Sequence, residues 1–362
     1  MSLFEISIFN GIMQYSLAEL RAIPIFFIVG KGRSGTTLLS TILDSHPNVA
    51  SATESRFLLL VWQKYKSMKK WRPEMADEFF ISVLEDYRVK YLWEFEENFI
   101  SQLKKMPPET TIQDLIKMVY IFRKSPFPKE KIKFIVDKNP RYTIFTGKLK
   151  SIFKEGKFIR IMRDPRDNIT SHVRFTRKKA GYLSYKWLSY NLIIDKYSKL
   201  ENDRFLTLRF EDLILDKMAF FKKFENFTEI DSLAELEEKR LNYKKEFEEK
   251  LSDDLKDQHQ ASVKPLDAKK IGHYKQKLDE IQIATIEAIT FPYAQTYDYG
   301  TENKIRSLGL TEQLKLSLSF SFHKYGNFVL YNSPYWLLIQ LRKFLIHNVF
   351  KNKKKKLLKV NS

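Results

Sequence analysis

A strand, a glycine-rich loop and a helix follow one another without interruption in the first 43 residues of the chain. The apolar run Ile25–Val29 predicts a buried strand, and the loop G-K-G-R-S-G follows it directly. Residues Thr36–Leu43 then have the apolar spacing of an amphipathic helix. Backbone N–H groups in such a loop converge on an anion, and the helix N-terminus adds a positive partial charge. The segment therefore predicts a binding site for phosphate.

The loop differs from the P-loop of ATP-binding proteins at one position. That P-loop has the pattern G-x-x-x-x-G-K-[ST], in which the lysine reaches the terminal phosphates. Gly30 and Gly35 have the required spacing, but Thr36 occupies the lysine position. The basic side chains lie inside the loop instead, as Lys31 and Arg33. The pattern indicates a phosphate ligand other than a nucleoside triphosphate.

Four short apolar runs are typical of buried parallel strands, and helical segments lie between them: Ile25–Val29, Lys133–Val136, Lys157–Met162 and Phe205–Arg209. This order predicts an α/β fold, a P-loop-like doubly wound parallel sheet flanked by helices. Ligands of such sheets bind beyond the carboxyl ends of the strands. Charged or glycine-containing segments follow all four runs, so we expect the functional residues at that edge of the sheet.

The chain is predicted to divide into a main domain, residues 22–300, and a basic helical C-terminal extension, residues 301–362. Within the main domain, residues 56–131 have a mostly helical pattern and form an insertion between two strands. The many aromatic residues of this insertion favour a core role over a binding surface. An insertion over the strand ends would also suit a lid on the acceptor side.

Basic residues are concentrated at the C-terminal end of a chain whose net charge is +19. Residues 342–362 carry eight lysine or arginine residues and no acidic residue, and an amphipathic stretch, residues 338–349, overlaps their start. A solvated tail and a peripheral contact with an anionic membrane are the leading alternatives for this run. Nucleic-acid binding is disfavoured, because no recognition module adjoins the run.

Cysteine is absent, which excludes disulfides and thiolate metal sites and favours a reducing compartment. The first ten residues lack the basic region of a signal peptide. No stretch of about 18 uncharged apolar residues predicts a spanning helix. We therefore expect a cytoplasmic protein, associated with the inner membrane face if the C-terminal run binds lipid.

The glycine loop continues as G-K-G-R-S-G-T-T-L-L, and residues 160–171 have the sequence R-I-M-R-D-P-R-D-N-I-T-S. These two motifs resemble the 5′-phosphosulfate loop and the 3′-phosphate-binding strand and helix of sulfotransferases that use 3′-phosphoadenosine 5′-phosphosulfate (PAPS). The resemblance extends from about Pro24 to Tyr299. It is closest to the tyrosylprotein sulfotransferase branch and its bacterial relatives, which share R-S-G-T-T-L, L-D-x-H-P, E-x-R and K-x-P with this chain.

The resemblance implies a role for each matching residue. Glu54 matches the catalytic base of the family and Lys138 its catalytic lysine, and Arg33 is the basic residue of the phosphosulfate loop. Residues 262–265 and 271–274 resemble a late segment that covers the nucleotide. The residues implied in donor binding are Arg33, Ser34, Gly35, Thr36, Thr37, Leu38, Arg163, Ser171 and Lys264.

Sulfuryl transfer to a hydroxyl should resemble phosphoryl transfer, an in-line displacement that depends on positioning and charge stabilisation. Arg33 and Lys138 can stabilise the charge that develops on the leaving phosphate, and Glu54 can accept the proton of the hydroxyl. The scheme requires no metal ion. The predicted function is transfer of a sulfuryl group from PAPS to a hydroxyl of a glycan, a lipid-linked acceptor or another acceptor.

Alternatives to this function and to these roles stay open at this point. One is a P-loop nucleotide kinase, and another is an inactive nucleotide-fold protein that serves as a basic membrane-surface module. Glu54 could pair with Arg56 at the surface, and Lys138 could form an ion pair with Asp137. The turn residues Arg166 and Asp167 could pair with each other, and His46 favours a capping role over a base.

The chain also departs from the family pattern. Phe210 replaces the tyrosine of the Y-E-x-L element, and His273 occupies the place of a late nucleotide-contacting lysine. The arginine that follows the second motif is either Arg174 or Arg177. We expect these differences to affect donor affinity and acceptor choice more than the reaction.

Overall fold

A computed structural model of the chain describes residues 14–176, 179–242 and 267–301, and seven single positions between 309 and 325. The strands are β1 (Ile25–Val29), β2 (Val49–Thr53), β3 (Phe134–Lys138), β4 (Lys157–Met162) and β5 (Phe205–Arg209). The α-helices before β3 are α1 (Leu17–Ala22), α2 (Thr36–Asp44), α3 (Phe57–Tyr65), α4 (Ala76–Leu84), α5 (Tyr87–Leu92), α6 (Phe99–Lys105) and α7 (Ile112–Ile121). Those after it are α8 (Thr146–Ile152), α9 (Pro165–Thr176), α10 (Ala180–Ser198), α11 (Phe210–Leu215), α12 (Lys217–Thr228), α13 (Leu233–Asn242) and α14 (Glu280–Ala294).

The five strands form one parallel sheet in the order β2-β3-β1-β4-β5. Strand β1 lies in the centre, with β3 on one side and β4 on the other, so the direction of winding reverses at β1. The crevice at such a reversal, beyond the carboxyl ends of the strands, is where open α/β sheets bind ligands. The glycine loop leaves β1 at this point.

Apolar side chains cover both faces of the sheet, because successive residues of a strand point to opposite sides. Ile25, Phe27 and Val29 of β1 belong to one core cluster, and Phe26 and Ile28 belong to the other. Helices α3 to α7 contribute to the first cluster, and α2 with α11 to α13 contribute to the second. Burial on both faces explains why β1 is a continuous apolar run rather than an alternating one.

Most of the aromatic residues of the segment between β2 and β3 lie in the core. Trp71, Phe79, Phe99 and Tyr120 are each at most 1% exposed and share a cluster with Phe27 of the central strand. Aromatic side chains of this size bury large apolar areas and dominate the energetics of a core. The prediction of a core role for them is therefore confirmed.

The predicted fold class is confirmed, with one strand added. Strands β1, β4 and β5 have the predicted bounds, and β3 runs from Phe134 to Lys138 instead of from Lys133 to Val136. Strand β2 was not among the predicted strands, because its sequence V-A-S-A-T has small residues where a buried strand usually has branched ones. Its presence matters because β2 ends directly before Glu54.

Parts of the C-terminal prediction lie outside the described residues. These are the amphipathic stretch 338–349 and the basic run 342–362. The described positions 310, 311, 314, 318, 321 and 325 are helical. Among the helices that the structure describes, none has the length and apolar character needed to cross a membrane.

Candidate active site

The loop after β1 has a left-handed backbone at three of its six residues. Gly30, Arg33 and Gly35 have φ values of 114°, 71° and 83°. Gly35 caps helix α2 through its backbone alone, and the first helical hydrogen bond runs from Leu39 N to the Gly35 carbonyl at 3.1 Å. The N–H groups of Thr36, Thr37 and Leu38 therefore have no acceptor inside the helix, as in the first turn of any helix. Donors of this kind are what the predicted anion site requires.

Gly35 also lies directly against the ring of Phe210, at the start of α11. A Cβ atom on Gly35 would lie 2.3 Å from Phe210 Cδ2, far inside van der Waals contact. The guanidinium of Arg163 also contacts this ring, with Cζ 4.6 Å from the ring centroid. Phe210 thus joins the glycine loop to the second motif, although it lacks the hydroxyl of the family tyrosine.

We expect Gly35→Ala to destabilise the protein by about 1–3 kcal/mol, because it adds a clash to a positive φ. Thermal or denaturant unfolding of the purified variant measures this loss. Gly32→Ala in the same loop is the matched control, since its Cβ would meet Pro140 Cβ at an ordinary 3.8 Å. Equal stability of the two variants would contradict the close packing of Phe210 on Gly35.

The second motif meets the loop through direct hydrogen bonds. Arg33 Nε donates to Ser171 Oγ at 3.1 Å, and Arg163 Nη1 donates to the Arg33 carbonyl at 3.2 Å. Asn168 Nδ2 donates both to the Gly32 carbonyl and to Ser34 Oγ, each at 2.9 Å. Helix α9 therefore holds the glycine loop along its length. Three of the predicted donor-binding residues, Arg33, Arg163 and Ser171, form one contact group.

Several basic side chains act on His172 of α9. The pKa of His172 is lowered to about 2, first by burial and then by the charges of Lys31, Lys186 and Arg33. The imidazole is therefore neutral at physiological pH, and its Nε2 lies 3.0 Å from the Gly32 carbonyl, to which it donates. Positive charge that disfavours protonation of a fourth basic group favours an anionic ligand.

A second contact group joins the ends of β2 and β3 to the start of α2. Lys138 Nζ donates to Glu54 Oε1 at 3.0 Å and to Thr37 Oγ1 at 3.2 Å. The Lys138 side chain is fully buried, whereas that of Glu54 is 28% exposed. The other carboxylate oxygen, Oε2, accepts from Arg88 Nη1 at 2.8 Å. Glu54 is thus held between two cations.

Backbone geometry fixes the direction of the Glu54 side chain. Glu54 has a left-handed φ of 43° directly after β2, and its N–H donates to the Lys138 carbonyl at 2.8 Å. The partner Arg88 lies in the first turn of α5, where the Asp86 carboxylate caps the helix and accepts from Arg88 N at 2.9 Å. Asp86 also accepts from Arg56 N at 3.1 Å. A residue held in strained backbone by its surroundings is typical of a functional site.

The late segment packs against the same helix, α9. Asp167 accepts hydrogen bonds from Gly272 N at 2.8 Å and from Tyr274 N at 2.9 Å. Arg163 Nη2 donates to the Lys270 carbonyl at 2.7 Å. Residues 271–274, which include His273, therefore lie beside the predicted 3′-phosphate group. The predicted contact Lys264 lies outside the described residues, as do Arg177 and the side chain of Arg174.

Three structural alternatives for these residues are wrong. Glu54 binds Lys138 and Arg88 rather than Arg56 alone at the surface. Asp137 accepts a hydrogen bond from Tyr120 on the opposite side of β3, and burial raises the pKa of Asp137 to about 7. Lys138 forms its ion pair with Glu54.

The pairing suggested for Arg166 and Asp167 is replaced by other contacts. Arg166 binds Asp164 at 2.7 Å and Glu287 of α14 at 2.8 Å, whereas Asp167 receives the backbone of the late segment. His46 Nδ1 accepts a hydrogen bond from Asn48 N at 3.0 Å, which agrees with the expected capping role of His46.

One buried donor suggests that the site binds a ligand. Arg163 is 8% exposed, and its Nε has no hydrogen-bond partner among the described residues. An unsatisfied donor on a buried guanidinium is costly, and a phosphate oxygen is the acceptor that matches it. Because of this unsatisfied donor, the group formed by Arg163, Arg33 and Ser171 fits a phosphate. Among the described residues no cluster of His, Asp or Glu has the arrangement of a metal site.

Two comparisons of the sequence identify similar proteins. The model of the sulfotransferase family matches residues 24–235. Protein-tyrosine sulfotransferase 1 of Danio rerio is 24% identical over 219 residues, which covers 57% of this chain and 53% of that protein. The chain thus spans about half the length of the curated relative it matches.

Solved structures with a similar chain path are also sulfotransferases by name. The sulfotransferase domain of the Synechococcus PCC 7002 olefin synthase has a TM-score of 0.49 and 21% identity, covering 77% of this chain and 95% of that one. The mouse sulfotransferase SULT7A1, complexed with PAP, has a TM-score of 0.43 and 12% identity, covering 79% and 94%.

Proposed function

The chain belongs to the sulfotransferase family, and from this premise we propose that it transfers the sulfuryl group of PAPS to an acceptor hydroxyl, with Glu54 as the general base. Family membership supports sulfuryl transfer, and the donor, the base and the acceptor are the finer parts of the proposal. The kinase alternative has no support, because the family matched is a different one and Thr36 occupies the lysine position.

The observation that carries the proposal is the contact of Lys138 with both Glu54 and Thr37. Thr37 lies in the first turn of α2, where free N–H groups favour a phosphate. Glu54 contacts the same ammonium group. A sulfuryl group that passes between the phosphate and the acceptor would therefore have a buried cation beside it and a carboxylate within reach.

The proposed reaction is a single displacement at sulfur. The acceptor oxygen forms a bond to sulfur while the bond between sulfur and the bridging oxygen of the 5′-phosphate breaks. The acceptor proton moves to Glu54, and adenosine 3′,5′-bisphosphate leaves with the bonding electrons. Lys138 and the N–H groups at the start of α2 would stabilise the charge on the leaving phosphate.

Arg33, Arg163 and Ser171 would hold the 3′-phosphate side of the donor. The contact of Arg33 with Ser171 supports this role for Arg33, whereas Lys138 is the cation in contact with Glu54. We therefore propose Lys138 as the main stabiliser of the leaving oxygen and Arg33 as a donor-binding residue that supports it. Glycans, lipid-linked groups and, from the name of the zebrafish relative, protein tyrosines are the candidate acceptors.

We expect adenosine 3′,5′-bisphosphate to raise the melting temperature, and ATP with Mg²⁺ to raise it much less. A ligand at about 100 times its Kd stabilises the native state by about 2.7 kcal/mol. Adenosine 5′-monophosphate, which lacks the 3′-phosphate, should stabilise the protein less than the bisphosphate. Differential scanning fluorimetry at matched concentrations measures all three shifts.

Arg163→Gln is the matched variant for this experiment. It should abolish the difference between the bisphosphate and the monophosphate, because the fork that meets the 3′-phosphate is lost. A larger shift with ATP and Mg²⁺ than with the bisphosphate would contradict the proposed donor.

A further inference from the structure

Three large apolar side chains are exposed on the short helix that carries Arg88, the partner of Glu54. Tyr87, Tyr91 and Leu92 of α5 are 42%, 62% and 41% exposed. The rings of Tyr87 and Tyr91 contact each other, with centroids 4.8 Å apart and planes inclined at 49°. We call these two residues the tyrosine pair. Single exposed apolar side chains are common on proteins, but a cluster of them beside a reacting group indicates a place where a ligand binds.

Helix geometry places the tyrosine pair beside the ion pair of Arg88 with Glu54. A helix turns about 100° per residue, so Tyr91 lies within about 60° of Arg88 around the helix axis, and residues three apart are neighbours on a helix surface. Arg88 Nη1 contacts Glu54 Oε2 at 2.8 Å, and the two side chains are 32% and 28% exposed. An exposed aromatic surface therefore adjoins the carboxylate that we propose as the base.

Basic side chains border the tyrosine pair. Lys90 Nζ lies 5.4 Å from the centroid of the Tyr91 ring, and Arg88 is the neighbour of Tyr91 on the other side. Both side chains carry several N–H donors and no acceptor. The surface thus combines aromatic rings with hydrogen-bond donors at their edge. This combination suits a ligand that has an apolar face and oxygen atoms around its rim.

We infer that the tyrosine pair is a subsite for a pyranose ring of a glycan acceptor, an inference that rests on the proposed function. A pyranose has a face of C–H groups and a rim of oxygen atoms. The C–H face would pack on the tyrosine rings, whose faces carry partial negative charge, and rim oxygens would accept from Lys90 and Arg88. A hydroxyl of the adjacent sugar would meet Glu54, where its oxygen bonds to sulfur and its proton moves to the carboxylate.

Other acceptors match the tyrosine pair less well. A sterol or an acyl chain is apolar on every side and needs a pocket that buries most of its surface, whereas both rings of the pair are exposed in part. A peptide would place its reacting tyrosine at Glu54 and would need a second apolar side chain for the pair. A glycan repeats the same ring along its chain, so a sugar at Glu54 has a like neighbour for the adjoining surface.

The experiment measures binding and transfer with named acceptor probes. Cellotriose, maltotriose and chitotriose are the pyranose probes, and a tyrosine peptide flanked by glutamates is the alternative acceptor. Saturation-transfer NMR titration without nucleotide gives the Kd of each sugar, and steady-state transfer of labelled sulfate from PAPS gives KM and kcat. We expect at least one of the sugars to bind and to accept the label.

Tyr87→Ala/Tyr91→Ala should raise the Kd and the KM for that sugar at least about tenfold and change kcat less than about twofold. The KM should respond because the pair holds the acceptor and takes no part in the chemistry. Tyr87→Phe/Tyr91→Phe keeps both rings and should restore binding. Leu200→Ala/Leu215→Ala, at side chains 73% and 72% exposed outside α5, is the matched control and should behave like the wild-type protein. Unchanged melting temperatures verify that the variants are folded.

Two results would overturn the inference. One is the absence of binding and transfer with all three sugars. The other is sugar binding, or transfer to the tyrosine peptide alone, that the alanine variant leaves unchanged. Failure of the proposed function gives a different result, in which a sugar binds through the tyrosine pair but receives no label from PAPS.

Discussion

Glu54→Gln is expected to slow sulfuryl transfer by about 10²–10⁴-fold while leaving the affinity for the donor nucleotide unchanged. The substitution keeps the size of the side chain but removes its capacity to take the acceptor proton. The carboxylate now accepts from Lys138 with one oxygen and from Arg88 with the other. A glutamine side chain has one oxygen acceptor, so the variant also loses one of these two hydrogen bonds.

The measurement is single-turnover transfer of labelled sulfate from PAPS, together with a binding curve for adenosine 3′,5′-bisphosphate. The acid limb of the pH–rate profile should disappear in the variant, because that limb reports ionisation of the base. Glu97→Gln, which changes an exposed carboxylate before α6, is the control and should transfer at the wild-type rate. Wild-type transfer by Glu54→Gln would remove Glu54 from the mechanism.

Much of the sheet could be predicted from the sequence because its strands are buried on both faces. Burial of this kind produces continuous apolar runs such as Ile25–Val29, which local inspection detects. Strand β2 lies at the edge of the sheet, paired with β3 alone, and its small residues pack beside α2. An edge strand built from alanine and serine has no such signal, so its existence depends on tertiary contacts.

The site could be predicted in part, for a reason that follows from the fold. The loop after β1, Glu54, Lys138 and Arg163 all lie at the carboxyl ends of parallel strands, and a parallel sheet brings those ends to one edge. Register then determines which residues touch. Thr53 pairs with Lys138, so Glu54 follows directly beside the lysine.

Arg88 could not be predicted in the same way. It lies on a helix of the segment between β2 and β3, with no motif around it, and reaches Glu54 only because Asp86 caps α5 in that orientation. Asp167 is a comparable case, since its partners Gly272 and Tyr274 are about a hundred residues away in sequence. Contacts of this kind depend on how helices pack, which local patterns do not encode.

The second large effect expected is on Lys138. Lys138→Met should lower the rate of transfer by about 10²–10³-fold, the loss typical of one preorganised donor to a developing charge. Methionine preserves the straight, buried stem of the lysine but not its ammonium group. The fold should persist, because Glu54 is partly exposed and retains Arg88 as a partner, so no buried charge is left alone.

Arg88→Met separates the two functions that Lys138 could have. Each substitution removes one cation from Glu54, but only Lys138 also contacts Thr37 at the phosphate-binding end of α2. If Lys138 stabilises the leaving phosphate, single-turnover transfer should be far slower in Lys138→Met than in Arg88→Met. Equal rates in the two variants would reduce Lys138 to a positioning residue for Glu54, and charge on the leaving oxygen would then have to be met by Arg33 and the N–H groups of α2.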